Sequence, residues 1–234
     1  MPVNGLAPRP SILTVTDAMR TLLSTLGLVL AFVAAPAVAF VAAPAVAQEP
    51  PTGAGGPAQT FMQARDTSVR EIMHRPTRTA PQREARTTAL TQALHDLLDY
   101  DELARRSLAE HFATATPAQR TAFVDLLRQL VERSYRKNLD TTMSYQISWL
   151  GESATDGGRL VRTSARSRTN GREPAVSIDY SLHQVGTGWK VFDIATDGQS
   201  LLRTYRRDFH RIIRDRGFDG LLQRMRDKLA QADD

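Results

Sequence analysis

The feature that most constrains this chain is a change of hydrophobic period near residue 143. From Phe61 to about Leu139, apolar residues recur at three- and four-residue spacing, which stacks them on one face of a helix. From Tyr145 to Thr196 they alternate with polar residues, which lines them along one face of a strand. After Ser200 the helical spacing returns. Helices, then strands, then helices predict an α+β class domain rather than alternating βαβ units.

The helical segments carry their own punctuation. Phe61–Met73 reads as a first helix, ended by His74-Arg75-Pro76, and Pro81–Leu98 as a second with Leu90, Leu94, Leu97 and Leu98 as its stripe. Asp99-Tyr100-Asp101 caps a short helix over Glu102–His111. Thr116-Pro117-Ala118-Gln119 starts a long helix running to about Leu139. Its Thr116 and Gln119 form a capping box, and Pro117 needs no amide partner at the first position. Ser200 caps a helix over Leu201–Arg214, Gly217 stops it, and Asp219 caps the last one.

In the alternating region Tyr145, Ile147 and Trp149 open a first strand, and Asp156-Gly157-Gly158 turns the chain. Leu160–Arg168 is the second strand, with Asn170-Gly171 as its hairpin turn. Val176, Ile178, Tyr180 and Leu182 mark the third, and Trp189–Thr196 the fourth. Short connections predict a twisted four-stranded antiparallel sheet, polar on one side and covered on the other by helices.

The first 47 residues are expected to be removed. Arg20 supplies a positive start, Leu22–Val33 an apolar stretch, and Ala45-Val46-Ala47 a small-residue cleavage site before Gln48. The apolar stretch is short for a retained span. Residues 48–59 read as a Pro/Gly-rich tether, and 60–232 as one domain: a helical half to about 140, the sheet over 143–197 and helices over 200–231. A chain of that size buries roughly 70% of its unfolded surface. It therefore needs no disulfides, and it has no cysteine to make them.

The chemistry that is missing narrows the function. Without cysteine there is no thiol nucleophile and no Cys-ligated metal site. No G-x-S-x-G or H-E-x-x-H occurs, and His74, His95, His111, His183 and His210 show no ligand spacing. The Gly53-Ala54-Gly55-Gly56 cluster sits in the tether with no strand before it, so it is no phosphate loop. No catalytic residue, metal or cofactor is expected. A formal charge of +5 is mild, and with export it argues against a nucleic-acid partner. The arginines at 203, 206, 207, 211 and 214 share one helix side, which reads first as a solvated face.

One pattern leans toward a ligand. On the second strand the alternate set is Val161, Thr163, Ala165 and Ser167, mostly small. Small residues on the covered face leave volume unless a helix side chain fills it. Such a cavity, lined by Tyr145, Ile147, Trp149, Ile178, Tyr180 and Leu182, suits an apolar ligand.

Several ordered motifs then coincide. Gly188-Trp189-Lys190-Val191-Phe192-Asp193-Ile194 is followed by Asp197-Gly198-Gln199-Ser200-Leu201, Tyr205-Arg206, Phe209 and Gly217-Phe218-Asp219-Gly220-Leu221. Upstream lie Asp99-Tyr100-Asp101-Glu102-Leu103-Ala104 and Ala115-Thr116-Pro117-Ala118-Gln119-Arg120, with Phe123 and Tyr135. In this order they resemble the MlaC, or toluene-tolerance, family over about Phe61–Leu229. Ala109-Glu110-His111-Phe112 departs from the family's frequent Gly-x-x-Trp, and Gln199 stands where a small apolar residue is common.

The resemblance implies a periplasmic phospholipid carrier with a lipid cavity between sheet and helices. Its partners would be phospholipid, an inner-membrane ABC transporter of the Mla type and an outer-membrane lipoprotein complex, and its role the maintenance of outer-membrane lipid asymmetry. The expected lipid-binding residues are Phe123, Leu127, Leu130 and Tyr135 on the helical half, and Tyr145, Ile147, Trp149, Val161, Ala165, Ile178, Tyr180 and Leu182 on the sheet. Tyr205 and Phe209 complete the set. Trp189, Asp193, Gly198, Ser200 and Arg206 read as structural. The competing readings are a carrier of another lipid, such as a hopanoid, and an exported α+β pocket enzyme acting as a hydrolase or isomerase.

Overall fold

The computed structural model describes residues 55–231. The expected leader over 1–47 and its cleavage site lie outside that range. Among the described residues no helix is long and apolar enough to cross a membrane.

Helix α1 runs over Pro57–Met73, starting four residues before Phe61, with proline in its first turn. Its amide cap comes from far away: the Glu152 carboxylate accepts the Gln59 N–H at 2.7 Å. Pro57 is the local signal of this start, which has no capping side chain of its own. Helix α2, Ala80–Leu97, begins with a capping box between Thr79 and Gln82. Helix α3, Tyr100–Leu108, is capped by Asp99, whose carboxylate accepts the Glu102 amide at 2.9 Å.

The single helix expected over Glu102–His111 is broken at Ala109, where φ is 49° and ψ −120°. A five-residue α4, Glu110–Thr114, follows. Helix α5, Pro117–Met143, opens with the reciprocal Thr116–Gln119 bonds at 3.0 and 3.2 Å.

The sheet contains β1 (Tyr145–Thr155), β2 (Gly158–Ser167), β3 (Val176–Val185) and β4 (Gly188–Thr196), plus a two-residue β5 (Gln199–Ser200). All neighbours are antiparallel, in the order β1-β2-β3-β4-β5. The edge strand β5 is the one addition to the expected meander.

The β2–β3 connection also differs from the expected Asn170-Gly171 hairpin, since β2 ends at Ser167 and β3 begins at Val176. Asn170 instead exchanges bonds with Glu173 within a longer loop: Glu173 N–H donates to the Asn170 carbonyl, and Asn170 Nδ2 donates to Glu173 Oε1 at 2.8 Å. Pro174 has no N–H to extend the ladder. Gly158 is required where it stands: φ is 144°, and a Cβ there would lie 1.9 Å from the Leu182 carbonyl oxygen.

A register shift between Trp149 and Gly151 interrupts β1. Before it, Ile147 faces Ala165 and Trp149 faces Thr163; after it, Glu152 faces Val161. The bulge leaves Leu150 exposed and turns Glu152 onto the inner face. From there Glu152 reaches the start of α1.

Helix α6 spans Leu201–Ala230 with a break at Gly217 (φ 71°, ψ 174°), so two helical segments meet at the expected position. Ser200 accepts the Arg203 amide, while Asp193 accepts the Ser200 hydroxyl at 2.6 Å and the Leu202 amide at 2.9 Å. Asp219 takes a bond from Gln119 Nε2 at 2.9 Å. The main core sits where α3, α5 and α6 meet the sheet. Phe123 packs edge-on to Phe209 at 5.2 Å, and Phe209 stacks on Tyr205 at 5.2 Å.

Candidate functional site

A pocket of about 140 Å³ lies between the α1–α2 hairpin, α5 and the inner face of β1 and β3. Met62 and Val69 come from α1, Ala93, Leu94 and Leu97 from α2, and Tyr135 and Met143 from α5. Ile147, Trp149 and Tyr180 come from the sheet. On α1 the spacing 62, 65, 66, 69 is the i, i+3, i+4, i+7 pattern of one helix face. Three large sheet residues of the inner face, Ile147, Trp149 and Tyr180, are only half-buried. Space in front of them is what leaves them so.

The polar members cluster on one element. Arg65, Asp66, Ser68 and Arg70 of α1 form the rim. Arg70 Nε donates to Asp66 Oδ2 at 2.8 Å, and Arg65 lies 3.8 Å from Asp96 and 5.0 Å over the Phe61 ring. Deeper in, burial pushes the Tyr135 phenol up to about 12 and the Tyr180 phenol higher still, with Asp66 adding to both. Both phenols are therefore neutral at any physiological pH. The lining is apolar and uncharged inside and ionic at the edge.

The hairpin is anchored unevenly. Its open end is tied to the sheet: Glu152 caps α1, Lys190 Nζ donates to the His95 carbonyl at 2.9 Å, and the Asp99 amide donates to the Val191 carbonyl at 2.9 Å. The far end, at the turn over 74–79, is exposed apart from Thr77, and the first half of α2 is nearly all exposed. Ile72 and Leu90 form a small separate cluster with Val69, Ala93 and Tyr135.

Of the residues expected at the site, Tyr135, Ile147, Trp149 and Tyr180 line this pocket. Phe123, Leu127, Val161, Leu182, Tyr205 and Phe209 are buried in the main core, with Leu130 packed against it. Tyr145, Ala165 and Ile178 form a second cluster with Val176.

The small-residue strip of β2 does face inward, since Val161, Thr163 and Ala165 are fully buried and Ser167 nearly so. Yet it does not line the pocket. Large neighbours on β1, β3 and β4, namely Tyr145, Ile147, Tyr180 and Ile194, cover Ala165, and Thr163 Oγ1 donates to the Ile178 carbonyl at 2.7 Å. The lining that was not singled out in sequence comprises Met62, Val69, Leu94 and Leu97, whose helical stripes are visible there, together with Ala93, Met143 and the rim of α1. The i, i+3, i+4 spacing identifies a buried face but not the void it faces.

The match to known proteins covers the same region. The family model described as MlaC protein matches residues 63–227. Among solved structures, the chain is similar to the phospholipid-binding protein of Ralstonia solanacearum in complex with a phospholipid. That match has a TM-score of 0.54 and 20% identity, and it covers 93% of this chain and 95% of the other. The family model takes in both helices of the hairpin, the whole sheet and most of α6, and on that evidence the chain belongs to the MlaC family.

Proposed function

We propose that this protein is a periplasmic phospholipid carrier that holds acyl chains between the α1–α2 hairpin and the sheet. The observation that carries the reading is the pocket itself: apolar within, half-exposing Ile147, Trp149 and Tyr180, and ionic only along one edge of α1. The similar Ralstonia protein holds a phospholipid, which supports the choice of ligand.

The physical need is large. A two-tailed lipid with roughly thirty methylenes faces a gross cost of order 20 kcal/mol on crossing water bare. A protein that shelters the tails and leaves the headgroup wet removes that cost without nucleophile, metal or cofactor. The rim of Arg65, Asp66, Ser68 and Arg70 is where a wet headgroup fits.

At about 140 Å³ the pocket is close to the ~150 Å³ cavity that admits benzene, and below the ~300 Å³ of drug-sized sites. In this reading, loading a two-tailed lipid swings the hairpin outward. Its pinned end at Glu152 and Lys190 supplies the hinge, and its exposed turn the moving end. In this reading a leader over residues 1–47 exports the chain. The loaded protein then shuttles lipid between an outer-membrane lipoprotein complex and an inner-membrane ABC transporter of the Mla type, which maintains outer-membrane lipid asymmetry.

Transfer between vesicles tests it. Donor vesicles carrying pyrene-labelled phosphatidylglycerol are mixed with acceptor vesicles and the purified protein. The expected result is extraction and delivery saturating at a single lipid per chain. No extraction from phospholipid vesicles would reject the phospholipid reading, and extraction of a hopanoid alone would replace the ligand.

A further inference from the structure

On α4 and α6, away from the pocket lining, the fold assembles residues that lie about a hundred positions apart in sequence. Glu110, His111 and His210 each place a ligand atom within 4.8 Å of the other two. The two imidazole rings stand edge-on with centroids 4.5 Å apart, and His210 Nδ1 is 3.5 Å from Glu110 Oε1. The break at Ala109 turns Glu110 and His111 toward α6.

The histidine bonding is uneven across the molecule. His74 Nδ1 has the Arg70 carbonyl at 2.6 Å, His183 Nε2 has Asp99 at 2.9 Å, and His95 Nε2 has Glu132. His210 Nε2, in contrast, is buried without a hydrogen-bond partner among the described residues. The nitrogen that faces Glu110 is the other one, Nδ1, so an ion held between the two residues takes Nδ1 and leaves the ring proton on Nε2.

We propose that Glu110, His111 and His210 form a site for a divalent transition-metal ion of the Zn²⁺ type, which clamps α4 onto α6. Two imidazoles and a carboxylate are a donor set that zinc uses, with further positions left to water. Nitrogen donors favour zinc, nickel or copper over magnesium and calcium. Metal–ligand bonds near 2.1 Å put tetrahedral ligand atoms roughly 3.4 Å apart, so the His210–Glu110 pair at 3.5 Å is nearly in place and only the wider separations, within 4.8 Å, have to close. Glu110 is 65% exposed and free to make that movement. Its carboxyl is held below the usual range by its own backbone N–H first, and then by His210 and His111. Arg206 also reaches Glu110 electrostatically, but it is exposed and solvent screens it. The site is separate from the pocket and does not depend on lipid carriage.

The test uses the untagged chain, stripped with chelator and titrated with Zn²⁺ by calorimetry while melting is followed by circular dichroism. The proposal expects a single Zn²⁺ per chain at micromolar affinity and a rise in Tm, with no such response to Mg²⁺. His111→Gln and Glu110→Gln, both at accessible positions, should each weaken binding at least tenfold and abolish the Tm rise, while melting without metal stays unchanged. Absence of stoichiometric Zn²⁺ uptake would overturn the site. So would equal affinity in both variants, because the ion would then sit elsewhere.

Discussion

Replacing Ala93 with tryptophan tests the pocket where it is most specific. Ala93 sits on α2 and lines the pocket, and an indole in place of its methyl projects into about 140 Å³ of space. At roughly 24 cal/mol per Å³, filling all 140 Å³ would stabilise the empty protein by at most about 3 kcal/mol. Overpacking strain of about 1–3 kcal/mol opposes this, so the net change in stability is close to zero. Lipid retention responds differently. At ~30 Å³ for a water-sized group, the filled space corresponds to about five methylenes. At about 0.8 kcal/mol each, their exclusion costs about 4 kcal/mol. Allowing for partial relaxation, lipid binding should weaken by roughly 100- to 1,000-fold. The assay pairs pyrene-lipid extraction with thermal melting of the same Ala93→Trp sample. Unchanged extraction in a cooperatively folded variant would refute the assignment of this pocket to acyl chains.

Other substitutions separate core from site. Ala165→Trp should lower stability by about 3 kcal/mol or more, read by urea denaturation, because Ala165 is fully buried beneath Tyr145, Val176 and Ile178. Ala109→Gly should raise stability by about 1 kcal/mol, since φ is 49° and glycine holds that backbone without the Cβ penalty; a drop in Tm would contradict it. Glu102 is held down to about 2, chiefly by its hydrogen bond to Arg105 and then by Arg106, against the opposing effect of burial. A depressed carboxylate stabilises the fold above its unfolded pKa, and that contribution fades as pH falls from about 4.5 toward 2. With solvent screening the effect is about 1 kcal/mol, and Glu102→Gln should flatten the acid limb of the stability profile in that window.

The sequence was most legible where a local signal fixes a local event. The Thr116–Gln119 box, the Asp99 and Ser200 caps and the Gly217 break all follow from interactions spanning a few residues, and each lies where expected. Period-two alternation placed Tyr145, Ile147, Val161, Ala165, Ile178 and Tyr180 on the covered face of the sheet. What it could not give was set at long range. The α1 start depends on Glu152, which faces inward only because a bulge at Leu150 reverses the alternation. The void lies over β1 and β3 rather than under the small side chains of β2, because large neighbours on adjacent strands lean over Ala165. The Glu110–His111–His210 group shows no ligand spacing, since a helix break and tertiary packing bring it together.

The central claim is that the α1–α2 hairpin and the sheet shelter acyl chains. Native mass spectrometry of the protein recovered from its native source, followed by organic extraction, addresses it most directly. A mass increment of a single phospholipid is expected on most of the wild-type molecules, and its loss in Ala93→Trp. A wild-type protein that is empty as isolated and stays empty after exposure to phospholipid vesicles would contradict it.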